Sequence, residues 1–139
     1  MSARLTLTLV VAGLLVMPAA ATAATKNGIT PLAPKAGTSV PAGQRPTFKL
    51  RAKGPGQVWV HVCKSKAKDS DGLICSDESI GRARKVSGVY RYRAKFFDFP
   101  EFWLNSPGEY YWQAHRIDCS ADLSDCRQEG PIVRFRVAG

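Results

Sequence analysis

Two histidines and a short acidic run are the side chains of this sequence that could do chemistry. His61 and His115 could bind a metal ion or exchange protons, and the run DSDG at residues 69–72 begins like a calcium-binding loop. The calcium pattern ends there, because Leu73 and Ile80 stand where that loop requires oxygen ligands. Two histidines without a third ligand are more often surface residues than a metal site. We therefore predict no bound metal and no cofactor.

Catalysis has little support elsewhere in the sequence. A hairpin could bring acidic residues such as Asp122 and Glu129 together, but no neighbouring residue type would activate them. The sequence also lacks the nucleophile elbow G-x-S-x-G, a glycine-rich phosphate loop and the zinc-binding pattern H-E-x-x-H. The prediction is a protein that is not an enzyme and has no catalytic residues.

The cysteines are Cys63, Cys75, Cys119 and Cys126, and they could form disulfide bonds or bind a metal. Their spacings are not the C-x2-C typical of zinc sites, and an exported protein meets an oxidising compartment. We therefore predict two disulfide bonds. Residue spacing alone leaves their connectivity open.

Residues 1–24 predict a signal peptide. Arg4 gives the positive start, residues 5–17 give an apolar stretch, and Ala21-Thr22-Ala23 gives a cleavage site, so that cleavage follows Ala23 or Ala24. The apolar stretch is shorter than the ~20 residues that a membrane-spanning helix needs. We expect a secreted protein, outside the cell or at its envelope, without stable membrane insertion. Residues 25–30 would form a flexible N-terminal segment and residues 31–139 a single domain.

The chain is basic, with 20 lysines and arginines against 11 acidic residues and a formal net charge of +9. Loss of the predicted signal peptide would remove only one of these cations, Arg4. A surface of this charge attracts polyanions. Positive charge also keeps an exported protein soluble without any ligand. Composition alone leaves both interpretations open.

Alternating apolar and polar residues predict short β-strands rather than helices. The strand-like runs are residues 46–53, 57–63, 86–97, 107–119 and 132–137. Residues 26–43 hold three prolines and three glycines and predict an edge strand, while residues 64–84 predict a long loop with one short strand and residues 99–105 an apolar crossover. The predicted inward side chains are Phe48, Leu50, Ala52, Val58, Val60, Val62, Tyr90, Tyr92, Ala94, Phe96, Tyr110, Trp112, Ala114, Val133, Phe135 and Val137. Such spacing is typical of an all-β, immunoglobulin-like sandwich of two antiparallel sheets.

Several short motifs occur in a familiar order. They are Pro-x-x-Gly at residues 34–37, Pro-Thr-Phe at 46–48, Val-Trp-Val-His-Val at 58–62, Pro-Gly-Glu-Tyr-Tyr-Trp-Gln-Ala at 107–114 and Phe-Arg-Val at 135–137. In this order, residues 31–138 resemble the bacterial fibronectin type III-like modules of exported proteins. The resemblance implies that the strand begun at Tyr110 pairs between those begun at Gln57 and Ile132, with residues 46–53 beside 86–97 in the opposite sheet. Modules of this family act mostly as spacers or binding surfaces.

The strand arrangement implied by this resemblance places Cys63 and Cys119 at opposite poles of the sandwich. It therefore favours the local bridges Cys63–Cys75 and Cys119–Cys126, each stabilising the fold by roughly 2–3 kcal/mol in the chain-entropy model. The placement of the cysteines is also similar to that of the neocarzinostatin-type carrier proteins. That similarity implies a small apolar ligand in a cleft beside the Cys119–Cys126 hairpin.

The same arrangement predicts two solvent-facing surfaces. The basic sheet face consists of Lys49, Arg51, Lys53, Arg91, Arg93 and Lys95, which would bind an anionic polymer or else form a solvated face. The aromatic-polar face consists of Trp59, His61, Tyr111, Gln113, His115, Arg134 and Arg136, which would bind a sugar or a protein, unless the loop over residues 64–84 covers it. Tyr110 and Trp112 are predicted to be structural, with the Tyr110 hydroxyl bonded back to the upstream backbone.

The sequence thus favours a non-enzymatic binding or accessory module that acts as a monomer. Its expected partner is an anionic polymer, a glycan or a cell-surface protein, bound through the basic sheet face. The alternatives are a structural spacer without a ligand and a carrier of a small apolar ligand.

Overall fold

The computed structural model describes residues 23–74, 79–93, 106–119 and 126–139. Nine β-strands lie in these ranges, and the described residues contain no helix. The strands are β1 (Ile29–Ala33), β2 (Ser39–Pro41), β3 (Thr47–Ala52), β4 (Gln57–Cys63), β5 (Ser79–Arg82), β6 (Arg84–Val86), β7 (Val89–Arg93), β8 (Gly108–Ile117) and β9 (Arg127–Ala138). Within the described ranges, no helix is present that could cross a membrane.

The strands form two sheets, in the order β1-β3-β7-β6 and β2-β9-β8-β4-β5. The prediction that β8 pairs between β4 and β9 is confirmed, as is the prediction that β3 lies beside β7 in the other sheet. One pair departs from the antiparallel arrangement that we predicted, because β2 runs parallel to β9. The lead-in over residues 26–43 therefore supplies an edge strand to each sheet, since β1 and β2 both lie at edges.

The core lies between the two sheets and is built from the inward side chains that the alternation predicted. Trp112 is fully buried, and its ring meets the edge of the Phe48 ring across the core at 5.4 Å between centroids. The Trp112 indole Nε1–H donates to the carbonyl of Pro34 at 3.0 Å, which satisfies its only polar atom. The Tyr110 hydroxyl donates to the carbonyl of Ser106 at 3.1 Å, as predicted. Of the predicted core residues, Ala94 and Phe96 fall outside the described ranges.

A tight hairpin separates β6 from β7, where the sequence pattern predicted one continuous strand over residues 86–97. Ser87 and Gly88 both have positive φ, at 49° and 79°, and connect Val86 to Val89. Two successive residues with positive φ form the turn whose twist matches that of paired antiparallel strands. The Ser-Gly pair therefore divides the run and creates an additional edge strand, β6.

The chain passes from one sheet to the other between β5 and β6. Only Ala83 separates Arg82, at the edge of the five-stranded sheet, from Arg84, at the edge of the four-stranded sheet. The Ala83 backbone N–H donates to the Val58 carbonyl at 2.8 Å, which fixes this crossing against β4. Arg82 and Arg84 therefore lie at neighbouring edges of the two sheets.

Candidate functional site

The basic sheet face is built by the pairing of three strands. Lys49 of β3 lies directly opposite Arg91 of β7, and Arg91 lies opposite Arg84 of β6 on its other side. Directly opposed residues in antiparallel strands have Cβ atoms about 5 Å apart, and like charges there are destabilising. These three cations therefore form a row across three strands. Arg84 was not predicted for this face, because the Ser87–Gly88 turn that brings it beside Arg91 was missed.

The described strands of this sheet hold no acidic residue that could offset the charge. The strands β1, β3, β7 and β6 contain no aspartate or glutamate. The observed ion pairs lie elsewhere, in Lys26–Glu129, Arg116–Asp118, Arg127–Asp71 and Arg134–Glu109. Of the predicted set, Arg51, Lys53, Arg91 and Arg93 are exposed, Lys49 is half-buried, and Lys95 lies outside the described residues. The described part of the face is an exposed surface of one charge sign.

A groove of about 980 Å³ adjoins this face at the crossing from β5 to β6. Five cationic side chains line it, and none of its described lining residues is acidic. We call it the edge groove, and its lining residues are Gly56, Gln57, Val58, Trp59, Gly81, Arg82, Ala83, Arg84, Lys85, Tyr90, Arg91, Tyr92 and Arg93. Arg91 and Arg93 belong to both the edge groove and the basic sheet face, so the two surfaces are continuous.

The wall of the edge groove depends on a glycine. A Cβ built on Gly81 would lie 1.8 Å from the Tyr92 ring, closer than any side-chain atom can approach. Tyr92 is in turn stacked with Phe48 of the core, at 6.2 Å between ring centroids. The backbone of β5 therefore rests directly on an aromatic ring of the opposite sheet, which fixes the position of Arg82 relative to β7.

The aromatic-polar face is largely covered rather than open. His61, Gln113 and His115 are only 1%, 0% and 4% exposed. These three side chains do not face the solvent, so the burial supports the alternative that the loop over residues 64–84 covers this face. Trp59 and Tyr111 are half-buried, whereas Arg134 and Arg136 are exposed. Whether the exposed remainder binds a partner stays a prediction.

The cover is a segment over residues 64–74, which folds back onto the outer side of the five-stranded sheet. Gln113 accepts a hydrogen bond from the Ile74 backbone N–H at 3.0 Å and donates to the Gly72 carbonyl at 3.3 Å and to the Gly130 carbonyl at 3.0 Å. Leu73 and Ile74 are buried on the sheet. One amide side chain thus ties the covering segment to two neighbouring strands.

The two histidines are buried beside Gln113 on the same side of the five-stranded sheet. His61 Nε2 and His115 Nδ1 are 2.7 Å apart, a hydrogen bond in which one ring donates and the other accepts. Burial, the neighbouring His61 and Arg127 together lower the pKa of His115 from 6.5 to about 4. The His115 ring is therefore neutral at neutral pH, and its hydrogen bond with His61 gives the pair a structural role.

The acidic run in the covering segment forms a turn. The Asp69 carboxylate accepts the backbone N–H groups of Asp71 and Leu73 at 2.9 and 3.0 Å. This side-chain-to-backbone pattern is an Asx turn, in which the carboxylate serves the local backbone. Among the described residues, no three metal-ligating side chains converge.

The cysteines divide between described and undescribed positions. Cys119 and Cys126 form a disulfide that closes the hairpin between β8 and β9, as predicted. Cys63 is buried at the end of β4. Cys75 lies outside the described residues, so the bridge Cys63–Cys75 stays a prediction. Asp122, named above as a weak acidic candidate, also lies outside them.

A second groove, of about 820 Å³, lies between the lead-in and β9, and we call it the apolar groove. Its apolar lining includes Pro31, Leu32, Ile132 and Val133. None of its described lining residues belongs to the Cys119–Cys126 hairpin, which is where the carrier similarity placed an apolar cleft.

Among protein-family models, curated proteins and solved structures, none matches this chain. The site must therefore be interpreted from its own geometry.

Proposed function

We propose that this protein is an exported, non-enzymatic binding module that holds an anionic polymer on its basic sheet face. We further propose that its fold is an immunoglobulin-like sandwich of the fibronectin type III kind. The strand order of the two sheets and the Tyr110–Ser106 hydrogen bond support that assignment, because a tyrosine bonded to the upstream backbone at the start of such a strand is typical of these sandwiches.

The observation that carries the functional proposal is the row Lys49–Arg91–Arg84. The three cations lie on paired strands, and the described strands of this sheet carry no acidic residue, so the cations repel one another without a counter-charge on those strands. A bound polyanion would replace that repulsion with attraction and release the counter-ions of the polymer. Repeated phosphate, sulfate or carboxylate groups along a chain would match charges that recur from strand to strand.

Retention of the purified, oxidised protein on a polyanion column across a salt gradient tests this function. The face variant combines Lys49→Glu, Arg51→Glu, Arg91→Glu and Arg93→Glu. The control variant makes the same change of net charge away from the sheet, with Lys35→Glu, Lys64→Glu, Lys66→Glu and Lys68→Glu. We expect the face variant to elute at much lower salt than the control, because strand-held charges contact the polymer together. Equal losses in both variants would reject an organised site and favour a spacer.

The apolar groove supports a second candidate function, the transport of a small apolar ligand. Its volume falls within the range of about 300–1,000 Å³ that ligand pockets occupy, and Ile132 and Val133 give it an apolar wall. Titration with an environment-sensitive apolar dye tests this function, with Ile132→Glu as the variant that should abolish the signal. A dye signal that survives this substitution would reject the groove as the ligand site.

A further inference from the structure

The edge groove differs from the basic sheet face in shape as well as in position. It is concave, and its volume of about 980 Å³ is at the upper end of the range known for ligand pockets, so it can hold a segment of a polymer rather than a single ion. Three of its cations, Arg82, Arg84 and Lys85, are exposed and were not among the six residues predicted for the basic sheet face.

Arginine predominates among the cations of the groove. Four of the five are arginines, namely Arg82, Arg84, Arg91 and Arg93. The planar guanidinium group binds carboxylate, sulfate and phosphate groups through two parallel hydrogen bonds, whereas an ammonium group acts as a point charge. Arg82 and Arg84 are separated only by Ala83, and Gly81 packs directly on Tyr92, so the backbone that carries these two arginines is fixed. The groove therefore favours discrete acidic groups at set positions.

An indole ring lies beside these arginines. Trp59 is half-buried, lines the groove and lies directly opposite Arg82 in the pairing of β4 with β5. A flat apolar ring next to charged donors suits a sugar ring that carries an acidic group, since the ring packs on the indole and the acid meets the guanidinium.

A single-stranded nucleic acid fits the groove less well. Proteins that bind single strands offer several accessible aromatic rings, on which successive bases stack. Here Trp59 is the accessible ring, because Tyr90 and Tyr92, the other aromatic side chains that line the groove among the described residues, are only 8% and 7% exposed. The Tyr90 ring also makes a cation–π contact with Lys85, whose Nζ lies 5.5 Å from the centre of the ring.

We propose that the edge groove binds a segment of an acidic glycan, with Arg82, Arg84 and Lys85 on its acidic groups and Trp59 against a sugar ring. This inference rests on the proposed function, since it names the polymer class and the place where its chain enters. The basic sheet face then receives the continuation of the same chain, through the shared Arg91 and Arg93.

Two variants of equal charge separate the groove from the face. The groove variant combines Arg82→Gln and Lys85→Gln and keeps Arg84, which also belongs to the row across the basic sheet face, and the matched face variant combines Lys49→Gln and Arg51→Gln. Calorimetric titration with a uronic-acid oligosaccharide measures the affinity, and an oligo(dT) of matched charge serves as the nucleic-acid probe. We expect the groove variant to lose about tenfold or more in affinity for the oligosaccharide, and the face variant to lose less.

A measurement on the wild-type protein does not depend on the folding of any variant. In a titration of the isotope-labelled protein with the oligosaccharide, the indole N–H resonance of Trp59 should shift while that of the buried Trp112 stays in place. A shift confined to other residues would overturn the groove assignment.

The outcomes distinguish this inference from the proposed function. If the face variant loses binding and the groove variant keeps it, the groove is overturned while polymer binding by the face stands. If the wild-type protein prefers oligo(dT) to the oligosaccharide, the glycan assignment is overturned. If the wild-type protein binds neither probe and is not retained on the polyanion column, both proposals fail.

Discussion

The outer faces of the two sheets are built by the same alternation and differ in what lies on them. On the four-stranded sheet, Lys49 and Arg91 remain accessible and unmixed with acidic residues. On the five-stranded sheet, the covering segment over residues 64–74 is hydrogen-bonded to Gln113, and His61 opposite Gln113 is buried. Alternation therefore determines which side chains share a face, while the connecting segments determine whether solvent reaches that face. The open face is available for binding, and the covered face contributes stability.

The largest expected effect comes from removing the Gln113 side chain, whose hydrogen bonds hold the covering segment on the five-stranded sheet. Gln113→Ala would leave the buried Ile74 N–H and the Gly72 and Gly130 carbonyls without their partner. Each unsatisfied buried group costs about 1–3 kcal/mol, so we expect a loss of roughly 3 kcal/mol or more in the free energy of unfolding. Denaturant unfolding measures it. The open-face control Arg51→Ala should change stability by no more than about 0.5 kcal/mol. Similar losses in both variants would contradict the contrast between the faces.

A pH titration tests the covered face without a large change in packing. Because the pKa of His115 is lowered to about 4 in the folded protein from 6.5, the unfolded chain binds more protons between these values. The contribution of His115 to the free energy of unfolding is complete above pH 6.5. It is lost as the pH falls toward about 4, by about 3 kcal/mol in total. In His115→Gln, the free energy of unfolding measured across this range should no longer show this change with pH. Glu129 adds a loss in the same direction at the acid end of this range, because the hydrogen bond from Lys26 lowers its pKa from the ordinary 4.5. An unchanged slope in the variant would assign the pH dependence to other groups.

On the open face, relief of charge repulsion should stabilise the fold slightly. Lys49→Glu converts a repulsive pair with Arg91 into an attractive one, which is worth about 0.2–1 kcal/mol. Thermal unfolding at low and high salt measures the gain, which should shrink as salt screens the pair. Lys35→Glu makes the same charge change away from the sheet. A gain of equal size in that control would show that net charge alone matters.

The smallest effect concerns the ion pair at the rim of the covered face. Arg127 and Asp71 are 2.8 Å apart, and both side chains are largely exposed, at 42% and 59%. Exposed pairs contribute about 0.2–1 kcal/mol, so Asp71→Asn should cost no more than this. Hydrogen exchange at Ile74 should remain slow in this variant, since Gln113 and not the ion pair holds the segment. Fast exchange would give the ion pair a larger role.

Local patterning was sufficient to predict the elements that alternate strictly. Val58 and Val60 were assigned to the core, and Lys49 and Arg91 were placed on one face of adjacent strands, because a period of two fixes the face of each side chain and the resemblance supplied the strand order. The Ser87–Gly88 turn was missed even though its residues are typical of tight hairpins. The apolar and aromatic positions on both sides of it continue one alternating pattern and mask the break.

The covered histidines and the edge groove could not be read from local patterns. Burial of Gln113 beside the histidines involves the return of a mostly polar segment, in which Leu73 and Ile74 are the apolar residues that contact the sheet. The edge groove depends on the passage of the chain between sheets at Ala83, and on the fit of Gly81 against Tyr92. Both features are tertiary contacts, and neither produces a periodic pattern in the sequence.

The edges of the sheets have a consequence for colloidal behaviour. Sheet edges offer unpaired backbone groups to other molecules, and proteins protect them with short strands, prolines and charged side chains. Here β2 and β6 have three residues each, β1 contains Pro31, and β6 carries Arg84 and Lys85. Those two cations also line the edge groove, so the groups proposed to hold a polyanion are among those that keep copies of the protein apart. We expect polyanion near charge equivalence to neutralise this protection and bring copies into contact, so that solubility falls as the groove fills.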